Sequence, residues 1–520
     1  MFTDKDFLGV EGKKLVNTKG ETVILKGTNL GGWLHREGWM DGGGACLAPL
    51  TVFQEKKETD SIVLELEKVC RCNRIAVTGK VTGDFIIEAS SDNVSWKTVA
   101  QGNFCQQKNS RRDNLKPAPY VPGVNVYDEG VFVCKDVIHT NEFFARFIRI
   151  SGKNLESAIP YRYGDIDDYS ARNILLKRFG AEKAEELLSK YQECYITRKD
   201  LEYIKSKNFN FVRVPVYWQE IMDENCKIKE HGWDNIDWLL EQCRELELYV
   251  MLDYHGAPGG NTLGSITAGQ LDSNRLWHEP LYQKMSMKIW KNMAERYKDH
   301  PEIAVYDLLN EPCVIPVESE REGMTGVIPP STPTMFYQLS DWYKTPVRKF
   351  YQEAYKIIRE TGDRHVLCMQ QFADIQLLEA PAVYGWENVM YQVHCYPVGD
   401  WRNHDQVLDS MKAYMELLEA HIPCWKIPVL AGEFCIWEFE DVWELWMQWL
   451  TDHGVHWANW SYKITDPAEK DHWSLFYDHN GTYVDYYRDS CEMIEHKWKN
   501  YETVHYRKNQ GLETLLKKYI

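Results

Sequence analysis

The chain has 520 residues, more than one ordinary domain and enough for a large barrel with an accessory module. Its formal charge of −17 argues against nucleic acid or an anionic membrane surface as a partner, and no apolar run approaches the roughly 20 residues that span a bilayer. The 20 Trp and 30 Tyr suit stacking on sugar rings and suit a large core equally well.

The N-terminus carries no basic segment followed by an apolar one, which reads as cytoplasmic. Residues 23–30 read as a first strand, followed by Gly31-Gly32-Trp33-Leu34-His35-Arg36-Glu37-Gly38-Trp39, a loop of glycines, aromatics and charges. A glycine-rich junction at 41–44 opens a block, residues 47–150, that alternates with a period of two and shows no helical period. After a helical stretch around 181–190 the pattern becomes strand and helix by turns. Strands are expected at 211–216, 249–255, 303–309, 365–369, 389–396, 427–434 and 456–462, with helices at 236–246, 281–297, 336–359, 407–419 and 441–451 and a closing helix at 485–499. Eight strands alternating with helices imply an α/β fold, a (β/α)8 TIM barrel with an inserted all-β jelly-roll domain, divided as 1–44, 45–155 and 156–520. A doubly wound sheet is the alternative, but no Gly-rich phosphate fingerprint follows any strand.

Chemistry in such barrels sits where strands end. Two apolar strands end in carboxylates, Asn310-Glu311-Pro312 and Ala431-Gly432-Glu433, and a pair of carboxylates is what glycosidic cleavage requires. Glu37, Arg213, Asp253, Tyr254, His255, His394, Tyr396 and Trp460 fall at the other strand ends. The bland reading of any one of them is a satisfied buried side chain; their convergence on one rim outweighs it. The 14 cysteines form no metal-type CxxC pair, and neither glutamate sits among ligand-spaced histidines, so no metal and no cofactor are expected. Reduced thiols follow from a cytoplasmic reading. Oligomeric state has no signature in the sequence.

Arg213, His255, Asn310, Glu311, His394, Tyr396, Glu433 and Trp460, in this order, resemble the shared residues of family 5 of the glycoside hydrolases. The resemblance covers the barrel apart from the insert. It implies that Glu311 is the acid/base and Glu433 the nucleophile of a retaining reaction. Arg213 is then expected to keep Glu433 ionised, Tyr396 to fix its rotamer, Asn310 to hold the sugar 2-hydroxyl, His255 and His394 to orient hydroxyls, and Trp460 to floor the sugar ring. The loops containing Glu37 and Trp39, and Asp253 to Asn261, are similar to the exo-β-1,3-glucanase and β-glucosidase-like branch, in which a glutamate at the Glu37 position grips terminal glucose. His35-Arg36 stands where that branch has an apolar pair. The expected partner is therefore a β-linked glucoside or oligosaccharide, with residues 313–334 shaping the leaving-group side. Another β-glycosidase, acting on glycolipid glucosides or on β-mannan or β-1,4-glucan, is the alternative, and a non-catalytic carbohydrate-binding protein is the alternative of another class. Within the β block, residues 85–96 and 145–150 resemble a discoidin, or factor 5/8 C-type, module that either binds sugar or braces its neighbour.

Overall fold

Eight short strands close into a parallel barrel in a computed structural model of the chain: β1 (Lys26–Asn29), β2 (Phe211–Tyr217), β3 (Tyr249–Gly256), β4 (Ile303–Asp307), β5 (Val366–Gln370), β6 (Val389–Cys395), β7 (Val429–Phe434) and β8 (His456–Asn459). Each pairs with the next and β8 pairs with β1, with Trp457 opposite Lys26 and Asn459 opposite Thr28. The described residues are all but 1, 4–5, 42–45, 108–130, 165, 263–266, 268, 271–272, 315–339, 371–377, 466–471 and 478–483. The expected junction at 42–44, the start of the helix at 336 and most of the loop 313–334 lie outside them.

Every residue of β2, β3, β4, β5 and β7 is buried. That is why these strands read as apolar runs: a parallel sheet inside a ring of helices has no wet face. The helices bury one stripe each. In Asp234–Leu246 it consists of Ile236, Leu239, Leu240 and Cys243, at helical spacing, and Pro280–Tyr297 starts with proline at its first turn, where the missing N–H is harmless. Among the described residues no helix is long and apolar enough to cross a membrane.

The floor of the barrel is apolar. Leu8 and Leu15, from an N-terminal hairpin (Leu8–Glu11 with Lys14–Asn17), pack with Leu25, Phe211, Tyr249, Met251, Val305, Val366, Met390 and Leu430. This hairpin covers the end where the strands begin. Near the C-terminus the expected helix over 485–499 is shorter, Cys491–Trp498. Asp485 forms a turn by accepting from the Tyr487 N–H at 2.9 Å, and Ser490 caps the helix by accepting from the Met493 N–H at 3.2 Å.

The chain divides into two compact units, Met1–Asp41 with Asp167–Thr482 and Ser490–Ile520, and Gly42–Ile166 with Tyr483–Asp489. The second is all-β. Its 30-residue strand Ser61–Ser90 doubles back on itself, since Phe147 of Val137–Gly164 pairs with both Glu65 and Ser90. Ile62, Leu64, Leu66, Ile75, Phe85, Ile87, Ile148 and Ile150 form its core. The β pattern runs past residue 155, because residues 157–161 still pair with Thr78 through Arg74 and residues 161–164 pair with Pro49 through Cys46.

Candidate active site

One layer of the barrel is polar all the way round. Asn29, Arg213, Asp253, Asp307, Gln370, Gln392, Glu433 and Asn459 come one from each strand, and all are buried. Arg213 is the hub: Nη1 donates to Asn29 Oδ1 at 3.0 Å and to Glu433 Oε1 at 2.6 Å, Nη2 donates to Asp307 Oδ2 at 3.1 Å and Asn310 Oδ1 at 2.9 Å, and Nη2 forms an ion pair with Asp253 Oδ2 at 3.0 Å. A planar guanidinium fits this role because its donors point in fixed directions. Asp253 and Asp307 are cross-strand partners on the same Nη2, and two carboxylates so placed cannot both be ionised easily. Burial and the neighbouring Asp253 charge push Asp307 up to about 8, while Arg213 and His255 hold Asp253 below its ordinary value against its own burial.

Glu433, in this layer, faces Glu311 just beyond it. Glu433 Oε2 accepts from the Tyr396 hydroxyl at 2.9 Å and lies 3.4 Å from His394 Nδ1; Glu311 Oε1 lies 2.8 Å from the same nitrogen. One polar atom each of Glu311, His394 and Glu433 falls within 4.8 Å of the others. The approach depends on Gly432, where a Cβ would sit 2.0 Å from Gln392 Oε1. Glu311 has φ of 38°, in the left-handed region that an ordinary side chain avoids, on the turn that swings its carboxyl over the barrel mouth.

Burial raises the Glu311 pKa to about 7 against the pull of His255 and Arg213. Burial also raises Glu433, although His394 and Arg213 oppose it. Arg213, expected to keep Glu433 ionised, does pull its pKa down, but desolvation outweighs it and the net shift is upward. His394, pushed down to about 3 by burial, is neutral, and its Nδ1 faces both glutamates. His255 is the opposite case. Burial lowers it, but Asp253 Oδ2 at 2.5 Å from Nδ1 and Glu37 Oε1 at 3.7 Å from Nε2 raise it to about 10.

The remaining expected residues are placed as follows. Asn310 Nδ2 lies 3.2 Å from His255 Nε2, and Oδ1 accepts from Arg213. Trp460 stacks over His255 with the planes 15° apart, and a Cβ on Gly31 would meet its ring at 3.0 Å. Asn261 is engaged with backbone: Nδ2 donates to Asn310 O at 2.6 Å and Oδ1 accepts from Ala257 N at 3.0 Å, so it holds the Asn-Glu-Pro turn instead of facing a sugar. Trp39 lies in the short helix Gly38–Asp41, and its side chain is outside the described part.

The first loop is clamped by a feature that the linear order hides. Glu37 bridges Asp167, and Arg36 Nη2 donates to Asp168 Oδ1 at 2.8 Å, which also takes Arg172 Nε at 2.8 Å. Leu34 extends the sheet beside Val216. Alternation then sends Leu34 and Arg36 one way and His35 and Glu37 the other, toward His255. Asp307, Gln370, Gln392 and Asn29 escape the sequence reading. The available signal was period two: Gln392, His394 and Tyr396 share one face of β6 and its exit.

A match to the family described as Cellulase (glycosyl hydrolase family 5) runs over residues 177–466. The chain belongs to glycosyl hydrolase family 5. Strands β2 to β8 and both glutamates of this family 5 chain fall inside the match. It is 25% identical over 305 residues to the Beta-xylosidase of Phanerodontia chrysosporium, covering 58% of each chain. It is 24% identical over 278 residues to the Probable glucan 1,3-beta-glucosidase A of Emericella nidulans, covering 52% of this chain and 60% of that one. The family 5 chain thus spans less than two thirds of the length of these curated relatives. A solved structure titled endoglucanase aligns at 16% identity with a TM-score of 0.39, covering 62% of this chain and 89% of that one.

Proposed function

We propose that the protein is a retaining O-glycosyl hydrolase that removes terminal β-linked glucose from β-glucosides or β-glucan oligosaccharides. The observation that carries this reading is the closeness of the Glu311 and Glu433 carboxylates, within 4.8 Å of each other and of one shared histidine nitrogen. Retaining enzymes place their carboxyl groups about 5–5.5 Å apart, whereas inverting ones leave about 6.5–9.5 Å for a water. Glu433 attacks the anomeric carbon while Glu311 gives its proton to the departing oxygen. Glu311 then takes a proton from water, which attacks the same carbon and releases Glu433. Arg213 and Tyr396 hold the nucleophile's oxygens in one orientation, and a carboxyl raised to about 7 keeps a proton to give in neutral solution. Asn310 faces the sugar 2-hydroxyl, Trp460 floors the ring, and Glu37 with His255 grips the terminal residue.

The names of the two relatives, one a β-xylosidase and one a glucan 1,3-β-glucosidase, support action on a terminal sugar and make β-xylosides the second substrate class to examine. We extend the proposal to the all-β unit as a discoidin-like module, checked by isothermal titration with laminari-oligosaccharides. The deciding experiment is proton NMR of the first product formed from an aryl β-glucoside and an aryl β-xyloside. The β-anomer is expected first; the α-anomer would overturn the retaining assignment, and no release of either sugar would overturn the substrate class.

A further inference from the structure

His35 is buried and neither of its ring nitrogens has a hydrogen-bond partner. Buried polar groups nearly always have one, so two orphaned nitrogens on one ring point to a missing ligand. One polar atom each of His35, Glu37 and His255 lies within 4.8 Å of the others, and all three side chains are buried. The His255 Nε2 to Glu37 Oε1 separation of 3.7 Å is too long for a good hydrogen bond and suits two groups that share a third atom between them.

We infer that His35, Glu37 and His255 form a cradle for a single hydroxyl of the terminal sugar, and that His35 is a specificity-determining residue of this site. The inference rests on the function proposed above. A hydroxyl has one proton to give and two lone pairs to fill. Glu37 offers a carboxylate acceptor, and His35 and His255 each offer a ring N–H. The three groups are therefore the complement of one hydroxyl: two donors for its lone pairs and one acceptor for its proton. A metal dication is the competing occupant, and it needs a bare nitrogen on His255; that ring has Asp253 Oδ2 at 2.5 Å on one nitrogen and the Glu37 carboxylate facing the other, which keeps both protonated.

The cradle also has a direction. Asn310 Nδ2 lies 3.2 Å from His255 Nε2, and Asn310 immediately precedes Glu311. From the two glutamates the line of polar groups runs through Asn310 to His255 and then to His35 and Glu37. The hydroxyl held by His35 is accordingly one remote from the anomeric carbon. Arg36, anchored on Asp168, fixes the segment that carries both cradle residues. The pair His35-Arg36, unusual beside the apolar pair that the resemblance implies, thus divides into one residue for the sugar and one for the loop.

The test is a hydroxyl-deletion series. kcat/KM is measured for an aryl β-glucoside and its 3-deoxy, 4-deoxy and 6-deoxy analogues, with the wild type, His35→Leu and His35→Gln. The wild type is expected to lose about 100-fold on one analogue. His35→Leu should lose about tenfold on the parent and under about threefold more on that analogue, because the two deletions remove the same bond. His35→Gln, which keeps a donor, should restore part of the discrimination. An equal loss by His35→Leu on all four substrates would make His35 a structural residue and sink the inference. A readout without turnover separates this from failure of the proposed function: thermal unfolding of the same proteins with free glucose and the three deoxyglucoses. Glucose should raise the wild-type Tm more than the critical deoxy sugar does, and His35→Leu should lose that difference; equal shifts from all four sugars in the wild type would overturn the cradle. ZnCl2 that stabilises the wild type but not His35→Leu would give the cradle to a cation instead.

Discussion

Glu311 and Glu433 are the same amino acid at equivalent ends of two strands, facing one gap and touching one histidine, yet their surroundings differ. Glu433 receives Arg213 at 2.6 Å and Tyr396 at 2.9 Å, which hold both of its oxygens in place. Glu311 reaches the gap on a turn with φ of 38° and meets His394 at 2.8 Å. Burial raises both pKa values, and only the donors around each can separate them. On the proposed mechanism, identical carboxylates are divided between a fixed nucleophile and a proton carrier by what is bonded to them, and the division can be broken one side at a time.

The largest effect is expected from Glu433→Gln. The amide cannot attack the anomeric carbon, so hydrolysis of an aryl β-glucoside should fall by at least about 10⁴-fold while the circular dichroism spectrum is unchanged. Turnover within tenfold of the wild type would remove the nucleophile assignment.

Glu311→Ala comes next and sharpens the contrast. With a poor leaving group the loss should be about 10²–10⁴-fold, the usual worth of a positioned acid. With a dinitrophenyl leaving group, glycosylation needs no proton; the glycosyl-enzyme should accumulate, and azide should release it as β-glucosyl azide. The pH profile follows from the same proton. Glu311 must be protonated in the first step, so the wild-type kcat/KM should decline as pH rises through about 7, and this basic limb should vanish in Glu311→Ala assayed with the activated substrate. A limb that survives the substitution belongs to another group.

A smaller effect separates residues that touch sugar from those that hold them. Arg36 reaches Asp168 by three bonds, through its backbone N–H at 3.2 Å, Nε at 3.0 Å and Nη2 at 2.8 Å. Arg36→Leu removes one cation from a buried cluster and loosens the segment carrying Glu37. KM should rise about tenfold with kcat reduced less, and Tm should drop, since breaking a buried pair costs about 3–5 kcal/mol. A kcat loss with KM unchanged would mean that the clamp acts on the chemistry itself.

What was legible in the sequence follows a physical divide. The barrel strands announce themselves because a strand buried on both faces must be apolar throughout, and the glutamates do because a charge ending such a run has no packing role. The N-terminal hairpin escapes because its strands are four residues each, although Gly12-Lys13 between them was a usable turn signal. Asp307 and Gln392 escape for a different reason. They sit within strands as single polar residues, and only the closed barrel brings Asp253, Asp307, Gln392 and Arg213 to one point. Asn261 ends the loop whose resemblance implies a contact with sugar; its bond to Asn310 O is a long-range contact that no local pattern announces.

Asp307 offers the finest test of the environment argument, because it should alter stability and leave chemistry nearly untouched. It shares Arg213 Nη2 with Asp253 and contacts Gln392 Nε2, and burial with the Asp253 charge raises it to about 8. A carboxyl whose folded pKa lies above its unfolded value of about 3.9 contributes stability that is complete below that value and is lost as pH climbs to 8. Asp307→Asn cannot lose that proton. At about pH 4 the variant and the wild type should therefore unfold at similar temperatures, and by pH 9 the variant should be the more stable, with kcat/KM on the aryl glucoside within about threefold at pH 6. If Asp307 were ionised in the native protein, the substitution would instead strip a partner from Arg213, and the variant would be the less stable at pH 9. The sign of that one difference in Tm decides whether the guanidinium's charge is directed to Glu433 or divided among three carboxylates.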